Sequence, residues 1–454
     1  MFKYSIDELC TAIDGTLISN AYNGYIQNVT IDSRVVEDDS VFFALVGEVT
    51  DGHNYINSAI DNGVKAIIVH KEIDKLDGVA QILVADTFNA LQKLAKHYIE
   101  KFDIPFVAIT GSSGKTTTKD IVAQVLSQKY SVHKTIGNLN STTGVPLTIF
   151  KLKDTHQISV IEMSMSHKGE IYGNAEIVHP NTAVITNIGQ AHIEFLGSQK
   201  EIFLAKKEIC GFLTENDNLI INVNDEYLST ISNEVYKIIK VGIDAGKLSA
   251  FNINNSKDGV SFDVEIEQKV CRFSFPIPGN HNILNALCAI QVGLIYGMTP
   301  EEIQLGLTTD GFSKNRMEKT VINGITLIND SYNANPTAMN AALDVLGYYN
   351  DCRKIAVLGD MFELGENSEK YHYECGVHAA KSKVDILLVT GVYAKDYKNG
   401  FDSLNYGECI SFEDKSDLTN YIINSLNNED AVLFKASNGA KLNTVFNEVK
   451  EGIA

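Results

Sequence analysis

Short apolar runs alternate along the chain with longer stretches in which apolar positions recur every three or four residues. That alternation predicts strands followed by helices, the pattern of α/β units on parallel sheets. In the first block, residues 41–46 (VFFALV), 66–69 (AIIV) and 82–85 (ILVA) predict strands, and 91–98 predicts a closing helix. Residues 101–105 (KFDIP) read as a short connection. The second block predicts strands at 106–109, 158–161, 182–185, 218–221 and 238–241. Within 251–275 the pattern changes: Phe251, Ile253, Val260, Phe262, Val264 and Ile266 alternate with period two around Lys257-Asp258-Gly259. Asp-Gly between alternating runs predicts a hairpin. Pro276-Ile277-Pro278-Gly279 ends it, and a helix is expected from about His281. A third block begins near Phe312, with strands at 325–328, 355–358, 386–389 and 432–434. Each of these ends in a polar or glycine-rich loop, where open parallel sheets bind ligands. The expected domains are 1–103, 104–311 and 312–454: a small α/β unit, a central P-loop ATPase-type parallel sheet and a Rossmann-like unit.

Composition agrees with this division. A chain of 454 residues suits about three domains of ~100–200 residues each. Hydrophobic residues at 44% and charged residues at 21% are ordinary for globular proteins. With Lys+Arg 38 against Asp+Glu 57, the formal charge is -19, so the basic field that draws proteins to nucleic acid is missing. Small anions remain possible ligands, because local cations and backbone N–H groups can hold them. No apolar run approaches the ~18–20 residues of a membrane helix, so no membrane insertion is expected. Asp7 and Glu8 near the start, without a basic segment and apolar core, do not read as a secretory signal. Seven cysteines, none spaced C-x-x-C, fit buried thiols in a reducing cytoplasm better than zinc or disulfides.

The sharpest chemical signal is residues 106–118 (FVAITGSSGKTTT), an apolar strand entering a glycine loop, Lys-Thr and a helix. Gly111, Ser112, Ser113 and Gly114 would wrap phosphates, Lys115 would neutralise β/γ oxygens, and Thr116 would reach Mg²⁺, with Thr117 beside it. Ile109 stands where the strict pattern has glycine. The plain alternative is a glycine turn with a solvated lysine. Glu162 and His192 each follow an apolar strand and are candidate Mg²⁺ ligands, against the alternatives of a solvated carboxylate and a packed imidazole. The stretch 137–147 (GNLNSTTGVPL), with Asn138, is either a substrate contact or a loop of Asx turns. Lys206 and Lys207 are either a solvated helix edge or, for a confined amine, a nucleophile able to react with CO₂. Asn282 and Asn285 share one helical face and could read adenine; the alternative is a polar helix start capped by Asn280. Arg316, after Lys314 and Asn315, is a candidate for charge stabilisation in phosphoryl transfer. Asp330, Tyr332 and Asn333 occupy a strand-to-helix loop, and Asn335-Pro336 reads as an N-cap followed by proline.

In order along the chain, these motifs resemble the Mur ligases of bacterial cell-wall synthesis. The first block carries the resemblance through Asp32-Ser33-Arg34, residues 42–47 and Asp51-Gly52-His53. The second carries it through TGSSGKTTTKD, GNLNSTTGVPL, IEMSMSHKGEI, TNIGQAHIEFLGS, AKKEI and GNHNILNA. The third carries NRME, NDSYNANPTAMNAAL, VLGDMFELG and KASNGAKL. The resemblance implies a monomeric ATP- and Mg²⁺-dependent peptide ligase acting through an acyl phosphate. It implies Thr116 and Glu162 on a first Mg²⁺, His192 and a carbamylated Lys206 at a second, and Lys115 and Arg316 offsetting charge. Asn282 and Asn285 would meet adenine, and Arg316 and Asp330 the nucleotide. Ser33, Arg34 and His53 would meet the uridine-diphosphate end of the substrate. Residues 330–336 resemble the member that adds D-alanyl-D-alanine to UDP-N-acetylmuramoyl-tripeptide, so Tyr332, Asn333 and Asn335 would make dipeptide or closure contacts. The Tyr-Ala-His stretch and the Asn-Pro-Arg motif of the sisters that add diaminopimelate or lysine are missing. Ser141, Ser164, Lys207, Asn315, Ala436 and Asn438 depart from the family pattern. Competing readings are such a sister, a folylpolyglutamate synthase-like ligase, a silent nucleotide sensor, and a structural partner without turnover.

Overall fold

The computed structural model describes residues 2–309 and 315–454. The expected boundary at 311/312, with Phe312 and Lys314, lies outside the described residues. Three sheets carry the chain, of five, nine and six strands. The five-stranded sheet runs Thr16–Ser19, Ala80–Leu83, Ala66–Val69, Ser40–Phe43, Asn28–Thr30, with only Thr16–Ser19 antiparallel to its neighbour. Two of its strands are displaced from the expected runs. The run 41–46 stops at Phe43, because Val46 turns outward to bridge Asp51. The run 82–85 shifts to Ala80–Leu83, because Asp86 already caps the next helix by accepting from the Asn89 N–H at 2.7 Å. That helix, Thr87–Ile99, starts earlier than 91 for the same reason.

The connection at 101–105 contains no regular element, yet one apolar core passes across it. Phe2 meets Tyr98 with ring centroids 5.1 Å apart and Phe150 of the middle sheet's layer at 5.3 Å. The Tyr98 hydroxyl donates to the Leu152 carbonyl at 2.8 Å, which satisfies its polar end inside that core.

The nine-stranded sheet is parallel from Val132–Lys134 through Ile158–Glu162, Phe106–Thr110, Thr182–Ile185, Asn218–Asn222 and Lys237–Ile243 to Leu248–Ser256. The expected hairpin is Leu248–Ser256 with Gly259–Ile266, and a third antiparallel strand, Lys269–Phe275, extends it. The helix Asn280–Ile295 follows. Its N-cap is Gly279 rather than Asn280: the backbone there has φ +108, which glycine tolerates, and the Gly279 N–H donates to Asn255 Oδ1 at 3.1 Å. The third sheet has an antiparallel edge, Glu318–Ile322, then the parallel strands Ile325–Asn329, Ala431–Lys435, Lys354–Leu358, Ile386–Thr390 and Glu408–Phe412. Asn335 caps Pro336–Gly347 as expected, accepting from Ala338 N–H at 2.9 Å. Among the described residues, no helix is long and apolar enough to cross a membrane.

Because Phe150 packs on Phe2 and Tyr98, Phe150→Ala removes a buried ring from the shared core. Truncations of this kind cost about 3–5 kcal/mol. Urea unfolding should show that loss in a transition common to the first and middle domains. Separate unshifted transitions would refute a shared core.

Candidate active site

Strand Phe106–Thr110 is buried along its whole length and lies between Ile158–Glu162 and Thr182–Ile185. Its carboxyl end opens into the glycine loop, and helix Lys115–Ser127 begins immediately after. Gly114, at φ +78, caps that helix without a side chain, which leaves first-turn N–H groups for an anion. A Cβ at Gly111, where φ is +151, would overlap the Thr186 hydroxyl. The loop is braced by the neighbouring strand end. Thr186 Oγ1 donates to the Ser113 carbonyl at 2.6 Å, and Asn187 Oδ1 accepts from Ser113 N–H at 3.0 Å. The motif TNIGQAH contains both braces, but its pattern pointed only to His192. Their signal was polar side chains directly after a buried strand beside the loop.

Lys115 donates from Nζ to the Gly111 carbonyl at 2.8 Å. Burial lowers its pKa, Glu162 opposes that shift, and Arg316 adds to it, so all three charges share one region. Glu162 is 1% exposed. Its Oε1 accepts from Thr116 Oγ1 at 3.0 Å and from Asn140 Nδ2 at 2.7 Å. Its Oε2 is buried and has no hydrogen-bond partner among the described residues. A hydroxyl beside a carboxylate with a free buried oxygen suits a hard divalent cation, completed by phosphate and water. Among the described residues, no three His, Cys, Asp or Glu side chains form a ready-made metal cluster.

Lys206, which the resemblance favoured over Lys207, is also set apart from it by the fold. Lys207 pairs with Glu234 at 2.5 Å. Lys206 is 1% exposed and has no acidic partner among the described residues. Burial, then the charge of Lys115, pushes its pKa well below the usual lysine value. A buried amine so placed is held towards its neutral, nucleophilic form.

Asn282 and Asn285 are buried side by side, and both have internal partners. Asn282 Nδ2 donates to the Pro278 carbonyl at 2.8 Å, and Asn285 accepts from Thr118 Oγ1 at 3.1 Å. They line a cavity in which Gly114 and Lys115 of the middle domain face Arg316, Asp330 and Lys435 of the third. Burial holds the adjacent His281 imidazole down to about 4. Lys435, nearly fully buried, donates to Asp330 Oδ2 at 2.5 Å and to the Asn333 carbonyl at 3.0 Å. Its role escaped the sequence reading; the signal was a lysine closing the wholly apolar strand segment 431–434. Arg316 stacks its guanidinium on the Tyr332 ring at 4.2 Å. Burial raises the Tyr332 phenol pKa, and Arg316, Glu162 and Asn138 are its polar neighbours. Asn335 Nδ2 reaches the Ser112 carbonyl at 3.5 Å, and Thr337 donates to Gln190 at 3.1 Å, so the third domain is seated against the phosphate loop.

His192 lies in a second cavity at the same seam, with Asn333, Asn335, Phe362 and Glu363. Its Nδ1 is 2.5 Å from Glu363 Oε2, and this contact holds the Glu363 carboxyl below its usual pKa range. Glu363, too, was not singled out by sequence.

The first-domain candidates lie outside both cavities. Arg34 makes a two-pronged contact with Asp32, at 2.9 and 2.7 Å, while its side chain is 84% exposed. Ser33 is buried, and its carbonyl accepts from Asn62 Nδ2 at 2.8 Å. His53 is held from both sides, by Asp51 at 2.6 Å on Nδ1 and by the His70 N–H at 3.4 Å on Nε2.

Backbone strain at a position such as Gly111 costs about 1–3 kcal/mol. Gly111→Ala is therefore expected to weaken ADP binding by about tenfold or more, read by calorimetric titration. A folded variant with unchanged affinity would remove the loop from nucleotide binding.

Comparison with known proteins bears on this geometry. Three family models match in chain order: the Mur ligase family catalytic domain at 25–99, the Mur ligase middle domain at 109–293, and the Mur ligase glutamate ligase domain at 315–438. The UDP-N-acetylmuramoyl-tripeptide–D-alanyl-D-alanine ligase of Bacillus subtilis is 35% identical over 462 residues, covering 99% of each chain. A crystal structure of MurF from Acinetobacter baumannii aligns with a TM-score of 0.91 at 31% identity over 99% of each chain. MurF ligase from Thermotoga maritima, in complex with ADP, aligns with a TM-score of 0.84 at 28% identity, over 94% of this chain and 98% of that one. With these likenesses running from end to end, the chain belongs to the Mur ligase family.

Proposed function

We infer that the chain is an ATP-dependent ligase that joins D-alanyl-D-alanine to UDP-N-acetylmuramoyl-tripeptide, a step in making the peptidoglycan precursor. The full-length likeness to enzymes of that name supports the substrates. The observation that carries the chemistry is the phosphate loop facing cations of the third domain across one cavity.

The reaction must bring two anions together. The tripeptide carboxylate attacks the γ-phosphorus of ATP; a P–O bond forms to the carboxylate, and the bond to ADP breaks. The dipeptide amine then attacks the acyl carbonyl. The C–N bond forms, the C–O bond to phosphate breaks, and the amine's proton is released. Lys115 and Arg316 offset the crowded charge where the phosphoryl group moves. Loop amides from Gly111 to Thr117 hold the phosphates. Thr116 and the free oxygen of Glu162 are the residues that would hold a first Mg²⁺, and His192 with a carbamylated Lys206 a second. Bound there, Mg²⁺ supplies charge stabilisation at the phosphoryl oxygens. For Lys206, the neutral amine adds to CO₂, forming an N–C bond and losing a proton; the resulting carboxylate is a ligand a lysine cannot otherwise be. Asn282, Asn285 and Asp330 line the nucleotide end, with Asp330 fixed by Lys435. Asn138 would contact the substrate, and Tyr332, Asn333 and Asn335 would make the dipeptide or closure contacts. The uridine-diphosphate end falls to the first domain. There Arg34 must exchange Asp32 for a phosphate, and Ser33 and His53 would be the further contacts to that end.

Phosphate release from ATP and Mg²⁺ should require both UDP-N-acetylmuramoyl-tripeptide and D-alanyl-D-alanine, with a pentapeptide product. Release with a free diamino acid and a dipeptide precursor instead would assign the tripeptide-forming sister activity. Silence in every mixture, with ATP bound, would favour a sensor.

Lys206→Ala should cut turnover on the order of 10²-fold, with partial rescue by short carboxylic acids. Full activity in that variant would exclude Lys206 from the mechanism.

A further inference from the structure

His192 is held unusually. Its backbone is left-handed, at φ +64, where it opens the short helix Ile193–Leu196. Among the described residues, nothing in its own domain supplies a hydrogen-bond acceptor to the buried Nδ1. The carboxylate beside it comes from the other side of the seam: Glu363 Oε2, 2.5 Å from Nδ1.

The loop that delivers Glu363 is braced at successive residues. Met361 N–H donates to His372 Nε2 at 2.9 Å, and Phe362 N–H donates to Ser437 Oγ at 3.0 Å. The Glu363 carbonyl itself accepts from Glu194 N–H of the middle domain at 3.2 Å. Glu363 also sits at φ +62, a conformation that a non-glycine residue keeps only where its surroundings over-determine it. The third domain therefore places this carboxylate on His192 by backbone as well as side chain.

We propose that Glu363 is a positioning residue: from the third domain it orients the His192 imidazole as a cation ligand, so that the second divalent-cation site is complete only when the two domains meet. The proposal rests on the metal roles inferred above for His192 and Lys206. A histidine that ligates a metal through one nitrogen characteristically turns its other nitrogen to a carboxylate, which sets the tautomer and the ring plane. Here that carboxylate is supplied across a domain boundary, whereas the first site, Thr116 with Glu162, lies wholly within the middle domain. Closure then assembles only the second site.

The test counts Mn²⁺ bound to the full-length enzyme by electron paramagnetic resonance, with a non-hydrolysable ATP analogue and bicarbonate present. The unaltered chain should bind two ions. Glu363→Gln, nearly isosteric, and Glu363→Ala should keep the first ion, which also certifies their folding. They should weaken the second by about 10–100-fold, with KM for D-alanyl-D-alanine unchanged. His192→Asn should lose the same ion, and the double variant no more than either alone. Two ions held at unaltered affinity in the Glu363 variants would overturn the proposal. So would an unchanged metal count with a raised KM for the dipeptide, which would make Glu363 a contact for its ammonium group. A single ion in the unaltered chain would instead sink the two-cation reading, and this proposal with it.

Discussion

A carboxylate taken out of water must be matched by charge or by hydrogen bonds. Glu162 has one oxygen bonded to Thr116 and Asn140, and the other is buried without a partner among the described residues. That half-satisfied group sits at the carboxyl end of a central parallel strand, beside the phosphate loop. Lys115 answers part of its charge, and the remainder is what the proposed Mg²⁺ would meet. The rest of the site is arranged around that unmet demand. Arg316 and Lys115 are near enough to lower the latter's pKa, and Lys206 is near enough to Lys115 to feel its charge. Such a cluster is costly when empty and favourable once phosphates and cations enter.

The third domain completes this arrangement from outside the sheet that bears it. Lys435 neutralises Asp330 and fixes the loop at Asn333, while Asn335 reaches the Ser112 carbonyl. An ion pair between Lys319 and Asp258, at 2.9 Å, lies along the same seam. Being exposed, that pair contributes little on its own. The buried contacts around the loop do more to define how the domains meet. A chain with net charge -19 thus places Lys115, Arg316 and Lys435 together where the reaction's anions must converge.

The two ends of the chain differ in how they join the middle. The first domain shares an aromatic core with it, through Phe2, Tyr98 and Phe150, which favours a fixed relation. The third domain meets it through polar contacts around a cavity. Polar interfaces of this kind are the ones along which domains move. A ligase that admits nucleotide, a large peptide substrate and a dipeptide in turn is well served by one fixed wall and one separable one.

Local patterns in the sequence determined a good deal. Apolar runs marked the core strands of the middle and third sheets, because burial on both faces demands unbroken hydrophobic stretches. The glycine loop followed by Lys-Thr announced its role, because phosphate wrapping needs glycine and a helix start at fixed spacing. Edge strands such as Thr16–Ser19, Glu318–Ile322 and Glu408–Phe412 left no apolar run, since half-exposed strands need none. The resemblance favoured Lys206 over Lys207, but only the tertiary structure gave the physical reason, because burial and the reach of Glu234 set the two amines apart. It alone paired Arg34 and His53 with neighbouring aspartates, and it alone brought Lys435 to Asp330 and Glu363 to His192. Those pairs are separated by 105 and 171 residues respectively in the chain. Sequence spacing constrains neighbours within a turn or a strand, whereas contacts across such distances depend on which strands pair in a sheet, as for Lys435 and Asp330, or on how domains pack, as for Glu363 and His192.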